Sequence, residues 1–397
     1  MKSLSDINSK IKPSTTLSIK QKATTYKEEG IDVTDFTAGE LDFDTPEYIK
    51  KACINALEKG QTKYTASSGS LDLRKAICNK FKIDNNLNYT PDCIIVSNGA
   101  KQSISNIFAT LLNKDDEVIV IAPFWLSYQV CIEAVGGVIK IVDTNYENDF
   151  LFTEQDLEKV VSNKTKAIII NSPNNPTGAV YDKSLLQCIG DFAIKHDLYI
   201  ISDEIYEKVI YKGKHISIAS LDEDIFNRTI TVNGMSKSHS MTGWRIGYCA
   251  SNKEIASKLN NYQSHITSAP NTMAQVAATV ALNEDDGSCD VFYKTLSERV
   301  EIVNELLSEI EGIEFSKPKG AFYVLINVKA FIGKTIDGIH ITSATEVASI
   351  LLDNYKVAVV PCNDFGANEY FRISFACSSP EIKKGIQKIK DFYKDNF

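Results

Sequence analysis

The chain has 397 residues, of which 43 are basic and 51 acidic, and a net charge of −8. This balance argues against nucleic acid as the main partner, and the length favours two domains. Nine cysteines are scattered without a C-x-x-C pair, which is typical of reduced thiols in a cytoplasmic protein. No segment approaches the roughly 20 apolar residues that span a membrane, and the polar N-terminus predicts no signal peptide.

Short apolar runs alternate with amphipathic stretches through the middle of the chain, which predicts an α/β domain with a mostly parallel sheet. The predicted strands are Cys93–Ser97, Glu117–Ala122, Val138–Val142, Ala167–Asn171, Tyr199–Asp203, Thr229–Val232 and Arg245–Ala250. The predicted helices between them are Gly69–Asn79, Lys101–Leu112, Phe124–Val135 and Lys183–His196.

The C-terminal part of the chain predicts a smaller α+β domain. It begins with a long amphipathic helix over Asp290–Glu311. The segments that follow it are Gly320–Val328, Ala344–Asn354, Val357–Val360, Phe371–Phe375 and a closing helix from Pro380. We therefore expect an N-terminal segment over residues 1–44, a large domain over 45–285 and a small domain over 286–397.

The segment SKSHSMTGWRIG, residues 236–247, is the most informative stretch of the chain. Lys237 lies among small polar residues, and Arg245 follows between Gly243 and Gly247. A lysine that forms a Schiff base needs room around its amine and positive charge nearby, and a guanidinium matches the oxygens of a phosphate. Taken alone, such a lysine is usually a solvated surface residue and such an arginine usually forms a surface salt bridge.

Two strand ends indicate a ligand-binding crevice. In SNGAKQSI, residues 97–104, a strand and a glycine turn precede a helix start, whose free N–H groups bind anions. In YIISDEIYEKV, residues 199–209, Asp203 ends a buried strand, at the edge where α/β folds bind ligands. The first pattern is weak because most α/β folds contain several, and Asp203 is also compatible with a helix N-cap.

Five further segments carry candidate residues with equally plain structural explanations. Asn175 lies in the turn NSPNNPTGAVY, and Trp125 in PFWLSY suits either a core or a stacking position. Tyr64 lies in a loop, KYTASSG, and Gly39 in TAGELDFDTP. Arg372 lies in YFRISFA, an alternating strand pattern in which one arginine is usually a solvated edge residue.

Together these motifs, from about residue 37 to residue 376, resemble the fold-type I pyridoxal phosphate (PLP) enzymes. The most similar group is the class I aminotransferases of the aspartate aminotransferase type. The resemblance implies a seven-stranded, mostly parallel sheet between helices in the large domain and an N-terminal segment that packs with the small domain. It also implies a homodimer in which Tyr64 reaches the cofactor phosphate of the neighbouring subunit.

The resemblance also implies a role for each candidate side chain. Lys237 would carry the cofactor and act as the catalytic base. The cofactor-binding residues would be Gly99, Ala100, Lys101, Trp125, Asn175, Asp203, Tyr206, Ser236, Lys237, Arg245 and Tyr64. The substrate-binding residues would be Gly39, Trp125, Asn175, Arg372 and Lys12. No metal is implied.

The implied reaction is a ping-pong transfer of an amino group from an L-amino acid to a 2-oxo acid, with 2-oxoglutarate as the expected acceptor. The resemblance favours aspartate, and prephenate or aromatic substrates stay open. A dicarboxylate needs a second cation in the pocket, and Lys12 in IKPSTT is one candidate. Ala109 argues against a strict dicarboxylate pocket, because some aspartate-specific relatives carry a basic side chain there.

Two other functions fit parts of the same pattern. A PLP-dependent carbon–sulfur β-lyase uses the same scaffold, and fold alone does not separate it from an aminotransferase. A PLP-sensing transcription regulator would need a DNA-binding domain before the first active-site glycine. Because that glycine is Gly39, the sequence disfavours the regulator.

Overall fold

The computed structural model describes residues 15–397, with side chains from residue 17 onward. The helices of the described chain are α1 Thr15–Glu28, α2 Glu47–Glu58, α3 Leu71–Asn85, α4 Ala100–Leu111, α5 Ser127–Glu133, α6 Glu154–Glu158, α7 Lys183–Lys195, α8 Glu223–Arg228, α9 Met235–Ser238, α10 Lys253–Ile266, α11 Thr272–Asn283, α12 Ser288–Ser308, α13 Ala344–Asp353 and α14 Ser379–Asn396. None of them is long and apolar enough to cross a membrane.

The strands fall into one large sheet and several small ones. They are β1 Thr34–Asp35, β2 Ile94–Ser97, β3 Glu117–Ala122, β4 Val138–Asp143, β5 Thr165–Asn171, β6 Tyr199–Asp203, β7 Thr229–Gly234, β8 Gly247–Ala250, β9 Glu314–Phe315, β10 Tyr323–Asn327, β11 Thr335–Ile336, β12 Ile339–His340, β13 Val357–Ala358, β14 Val360–Pro361 and β15 Tyr370–Ser374. The large sheet has the order β2-β8-β7-β6-β5-β3-β4. Because β8 alone runs antiparallel to its neighbours in this sheet, the predicted seven-stranded, mostly parallel sheet is confirmed.

Several predicted boundaries were wrong for local reasons. Arg245 has a φ of 57°, a left-handed conformation incompatible with a strand, so β8 begins only at Gly247. Helix α3 begins after Ser70, whose side chain accepts the Leu73 N–H, and it continues to Asn85. The helix predicted from Phe124 begins at Ser127.

Apart from the edge strand β4, the strands of the large sheet are buried on both faces, which explains their continuous isoleucine and valine runs. Neighbouring residues of one strand enter different cores. Ile169 and Ile201 pack in the layer with α4 and α10, whereas Ile168 and Ile200 pack in the opposite layer with α7 and α8. With helices on both sides, the carboxyl ends of β5, β6 and β7 remain open at one edge.

The C-terminal part has its own antiparallel sheet, of order β14-β15-β10-β9, and its own apolar core beside α12 and α14. The N-terminal segment joins this part of the molecule. β1 pairs in parallel with β13, and the Phe36 carbonyl accepts the Ser374 N–H at 2.9 Å. This pairing leads the chain past the open edge of the large sheet, where Gly39 lies.

Candidate active site

A cavity of about 400 Å³ opens at the carboxyl edge of the large sheet. Its walls come from the strand ends, from the start of α4 and α5, from α9 and from the passing N-terminal segment. The lining residues are Thr37, Gly39, Glu40, Ala100, Lys101, Trp125, Leu126, Tyr128, Asn171, Asn175, Asp203, Ile205, Tyr206, Ser236, Lys237, Thr242, Arg245, Tyr323, Phe365 and Arg372. Most of the predicted site residues therefore meet in one place, although they are spread over more than 330 positions of sequence.

Two of the predicted residues that the structure describes do not line this cavity. Gly99 lies directly behind it at the N-cap of α4. Tyr64 is 95% exposed and lies beside residues 269–273, outside the cavity of its own chain. Lys12 falls outside the described residues.

Lys237 lies in the short helix α9, at the end of β7, with its side chain in the cavity. Its ammonium donates a hydrogen bond to the Gly39 carbonyl, which brings the N-terminal segment against the lysine. Burial lowers the pKa of Lys237 to about 8; the Glu40 carboxylate opposes this, and the guanidinium groups of Arg245 and Arg372 reinforce it. A substantial neutral fraction of the amine near neutral pH makes it a usable nucleophile and base.

Asp203 ends β6 on the floor of the cavity and is only 3% exposed. Oδ2 accepts a hydrogen bond of 2.6 Å from the Tyr128 hydroxyl, and Oδ1 accepts the Ile205 N–H at 3.3 Å. Burial raises the pKa of Asp203 to about 6, against the lowering effect of these two donors. This geometry fits a carboxylate that pairs with a positively charged group of a ligand in the cavity.

Arg245 packs against the start of α4. Its guanidinium donates to the carbonyls of Thr242 at 2.9 Å and Asn98 at 3.2 Å, and it is exposed enough to meet a ligand. A Cβ at Gly99 would lie 2.2 Å from Nη2 of Arg245, so this approach requires glycine. The N–H groups of Ala100 and Lys101 belong to the first turn of α4, where a helix offers them no carbonyl. Together these donors form an anion-binding corner.

Arg372 is 4% exposed, so the solvated-edge explanation of this residue was wrong. Strand β15 is internal to its sheet and directs the guanidinium into the cavity. Nη1 donates to Oδ1 of Asn175 at 2.9 Å, and Nη2 donates to the Thr37 carbonyl at 3.3 Å. Nε is buried without a hydrogen-bond partner, and the guanidinium lies 4.3 Å from the centre of the Tyr323 ring. A buried arginine with an unused donor fits a carboxylate ligand.

Several lining residues were not singled out from the sequence. Tyr128 follows Trp125 by one helical turn, a spacing that could have indicated a shared face. Glu40 follows Gly39 directly, and its carboxylate accepts the Thr242 hydroxyl at 2.8 Å. The Tyr323 hydroxyl of β10 lies 3.0 Å from that of Tyr206, in the turn after β6, a pairing that no local motif reports.

The charges of the lining residues favour an anionic occupant. Four basic side chains, Lys101, Lys237, Arg245 and Arg372, face two acidic ones, Glu40 and Asp203. The Lys101 ammonium lies 5.0 Å from the centre of the Trp125 ring. Because the cavity lining has two more cations than carboxylates, the cavity attracts anionic ligands, such as phosphates and carboxylates, more strongly than cationic ones.

A buried charged cluster supports the turn between Asp203 and Tyr206 from behind. Glu204 and Glu207 point away from the cavity, and each accepts a hydrogen bond from Asn85. Lys80 forms an ion pair with Glu207, and His215 Nε2 lies 3.0 Å from the Glu204 carboxylate. Because the cluster carries its own cations and N–H donors, its two carboxylates are balanced without a metal ion.

The His215–Glu204 pair predicts a loss of stability at alkaline pH. Burial alone lowers the pKa of His215, but the carboxylates of Glu204 and Glu207 outweigh it and raise this pKa above its ordinary value. The stabilisation is therefore complete below about pH 6.5, the unfolded value, and is lost as pH rises through the raised folded pKa. We expect His215→Gln to reduce the unfolding free energy at pH 6 by about 1–2 kcal/mol. Urea unfolding between pH 6 and pH 9 measures this.

The variant should also show a flatter pH profile than the wild-type protein. His196→Gln is a suitable control, because His196 makes a similar contact with Glu158 near the surface. If His215→Gln and the wild-type protein lose stability in parallel across this range, the His215–Glu204 pair is not the titrating element.

Comparisons with known proteins identify similar sequences and a similar structure. A sequence profile of the family "Aminotransferase class I and II" matches residues 31–389. An aspartate aminotransferase of Bacillus sp. strain YM-2 is 44% identical over 383 residues, covering 96% of this chain and 97% of the relative. A probable aspartate/prephenate aminotransferase of Aquifex aeolicus is 41% identical and covers 98% of both chains. The structure of Thermus thermophilus aspartate aminotransferase with maleate matches with a TM-score of 0.93 at 37% identity, covering 98% of this chain and 100% of that one.

Proposed function

Because the chain belongs to the class I and II aminotransferases, we propose that it transfers an amino group between L-aspartate and a 2-oxo acid. Its fold is the predicted α/β fold of the type I PLP-transferases, and its activity class is that of a transaminase. One observation carries the finer proposal: Lys237, Asp203, Arg245 and Arg372 come from three distant segments and face the same cavity.

The site fits pyridoxal phosphate, the cofactor of this family. The anion-binding corner at Arg245 and the start of α4 suits its phosphate, together with the Ser236 hydroxyl. Asp203, buried and short of positive charge, suits the ring nitrogen at the opposite end. The Tyr206 hydroxyl is one donor for the phenolic oxygen of the cofactor. Asn175 supplies a second donor from Nδ2, because its Oδ1 already accepts a hydrogen bond from Arg372. Trp125 supplies a flat wall for the ring.

Bound pyridoxal phosphate supplies an electron sink for the charge that develops at the substrate Cα. Lys237 would hold the cofactor, and its amine, once freed by an incoming amino acid, would accept the proton from the substrate Cα. Its lowered pKa suits this exchange, since a base works best when its pKa is near the working pH. The Asp203 carboxylate would pair with the ring nitrogen of the cofactor.

Arg372 binds the substrate α-carboxylate in this proposal. Asn175 holds the guanidinium in place and donates from Nδ2, and the backbone at Gly39 closes the other side. Orientation by a fixed bidentate partner places the Cα–H bond next to the Lys237 amine. The N-terminal segment that carries Gly39 also shields this end from water.

The distal carboxylate of aspartate needs its own cation, and Lys101 is available for it. Arg245, Arg372 and Lys237 already have roles, whereas the Lys101 ammonium lies over Trp125 at the cavity wall. Ala109 lies further along α4, away from the described cavity lining, so its small side chain does not argue against a dicarboxylate. The structure of a relative with maleate, itself a dicarboxylate, supports this choice. Lys12 stays a second candidate.

The second half of the reaction uses the same groups in reverse. We propose 2-oxoglutarate as the acceptor, because its α-carboxylate suits Arg372 and its distal carboxylate suits Lys101. Donor and acceptor then occupy one cavity in turn, which is a ping-pong mechanism. Prephenate is a second acceptor to test, since relatives carry the name aspartate/prephenate aminotransferase.

The first experiment follows the visible spectrum of the purified protein as single amino acids are added without an acceptor. We expect aspartate and glutamate to convert the aldehyde form of the cofactor to the amine form. We further expect Lys101→Met to lower kcat/KM for aspartate by about tenfold or more, through loss of a charged hydrogen bond, with little change for alanine.

Each other outcome of this titration has a separate meaning. Conversion by aromatic or small neutral amino acids instead of aspartate would contradict dicarboxylate specificity. Recovery of the starting spectrum while pyruvate accumulates would identify the β-lyase. Lys159→Met is a suitable control, because Lys159 is a 72% exposed lysine that pairs with Asp156 and does not line the cavity.

We also propose a homodimer in which Tyr64 completes the phosphate site of the partner subunit. A tyrosine that is 95% exposed leaves a large apolar surface in water, which a partner would cover. The division into segment 1–44, large domain 45–285 and small domain 286–397 is supported by Phe36, which packs in the C-terminal core.

All nine cysteines are free thiols, in keeping with a cytoplasmic protein.

A further inference from the structure

Tyr128 contacts Asp203 directly, and no sequence motif gave it a role. Its hydroxyl donates a hydrogen bond of 2.6 Å to Oδ2 of Asp203. Both side chains are almost fully buried, so bulk water does not compete for this bond. Tyr128 lies in the first turn of α5, and its ring meets the Trp125 ring edge-on, with centroids 5.5 Å apart. It therefore links the residue that would stack on the cofactor to the residue that would face its ring nitrogen.

The Tyr128 hydroxyl acts only as a donor at this position. Burial and the adjacent Asp203 carboxylate raise the pKa of Tyr128 well above its ordinary value, so the phenol stays protonated. A donor to a carboxylate favours its ionised form and fixes its rotation. The Ile205 N–H, at 3.3 Å from Oδ1, holds the other oxygen more weakly.

The other titratable groups around Asp203 do not replace this bond. Glu204 follows Asp203 in the chain, and its charge raises the pKa of Asp203. The Lys237 ammonium lowers this pKa, but it is the smallest of the causes that act on Asp203. Tyr206, whose hydroxyl pairs with that of Tyr323, is a neutral phenol whose pKa is raised by burial. Tyr128 is thus the strongest of the groups that hold Asp203 ionised.

We propose that Tyr128 is a positioning residue that holds the Asp203 carboxylate ionised and in place to accept an N–H from the cofactor ring. This inference rests on the proposed function, since it needs a ring nitrogen that faces Asp203. Tyr128 itself does not take part in the chemistry. The effect of its hydroxyl passes through Asp203, and this makes the proposal separable from a general role of the ring in packing.

The test compares two ligands on the cofactor-free protein. Pyridoxal phosphate and an analogue with C–H in place of the ring nitrogen are titrated against the wild-type protein and Tyr128→Phe, and tryptophan fluorescence reports binding. We expect Tyr128→Phe to bind pyridoxal phosphate roughly tenfold more weakly, from the loss of a hydrogen bond to a charged group. Affinity for the analogue should stay unchanged. The difference should be larger at pH 6 than at pH 8, where Asp203 ionises without help.

The controls separate this role from a structural one. Tyr393→Phe removes a buried hydroxyl that donates to the Asn327 carbonyl at 2.9 Å, far from the cavity, and should alter neither affinity. Tyr128→His, which keeps a ring N–H donor, should retain part of the preference for pyridoxal phosphate, and it carries the same comparison if Tyr128→Phe does not fold. Equal weakening for both ligands, or none for either, would overturn the proposal. A wild-type protein that binds neither ligand would contradict the cofactor assignment itself.

Discussion

Lys237→Ala is expected to lower transamination of aspartate by more than about a thousandfold, since it removes the covalent anchor and the proton acceptor together. The structure leaves no substitute nearby. The other basic side chains that line the cavity are Lys101, which lies over Trp125, and two arginines, whose guanidinium groups stay protonated. Single-turnover conversion of the cofactor band by aspartate measures the step directly, because it excludes product release and the second half of the reaction.

Two further variants test whether the loss of activity in Lys237→Ala comes from the missing amine. Lys237→Arg keeps a positive charge but offers no neutral nitrogen near pH 7, so it should be as inactive as Lys237→Ala. Lys253→Ala removes an exposed lysine that pairs with Asp92, and it should keep full activity. If Lys237→Ala converted aspartate at the wild-type rate, the mechanism proposed above would be wrong.

The sequence predicted the large sheet well because its strands are continuous apolar runs. Glu117–Ala122 and Tyr199–Asp203 were predicted to the residue, since each is built around such an apolar run. The boundary at Arg245 was wrong because backbone conformation, here a left-handed residue between two glycines, decides where β8 begins. Hydrophobic periodicity does not report such a local turn.

The site was predictable to the extent that its residues lie in continuous motifs. Lys237, Arg245, Asp203 and Asn175 each lie in a recognisable segment, and the structure brings them to one cavity. Contacts between segments were not predictable. The Tyr128–Asp203 bond spans 75 positions and depends on how β3 and β6 are ordered in the sheet.

The burial of Arg372 was not predictable either, because it also depends on a contact between distant segments. An arginine in an alternating strand is usually exposed, and the sequence of β15 contains nothing that says otherwise. It is buried because the N-terminal segment passes over it, with the Thr37 carbonyl accepting from Nη2. The site depends on a contact between residues that are 335 positions apart.

Arg372→Lys should raise KM for both aspartate and the 2-oxo acid by about a hundredfold, with a smaller effect on kcat. Both substrates share the α-carboxylate, so both should be affected alike. An ammonium group carries the charge but lacks the planar fork that binds a carboxylate through two N–H groups. The shorter reach of lysine would also leave the Asn175 and Thr37 oxygens without their donors, and loss of a buried, charged hydrogen bond costs about 2–5 kcal/mol.

Steady-state kinetics with each substrate varied in turn distinguish this binding role from a structural one. Arg228→Lys is a matched control, because Arg228 donates to the carbonyls of Ala193 and Leu198 away from the cavity. Comparing the KM values of different substrates also tests which carboxylate of the substrate Arg372 binds. A rise for aspartate without a rise for alanine, which has no distal carboxylate, would mean that Arg372 binds the distal carboxylate rather than the α-carboxylate. In that case Lys101 and Arg372 would exchange their proposed roles.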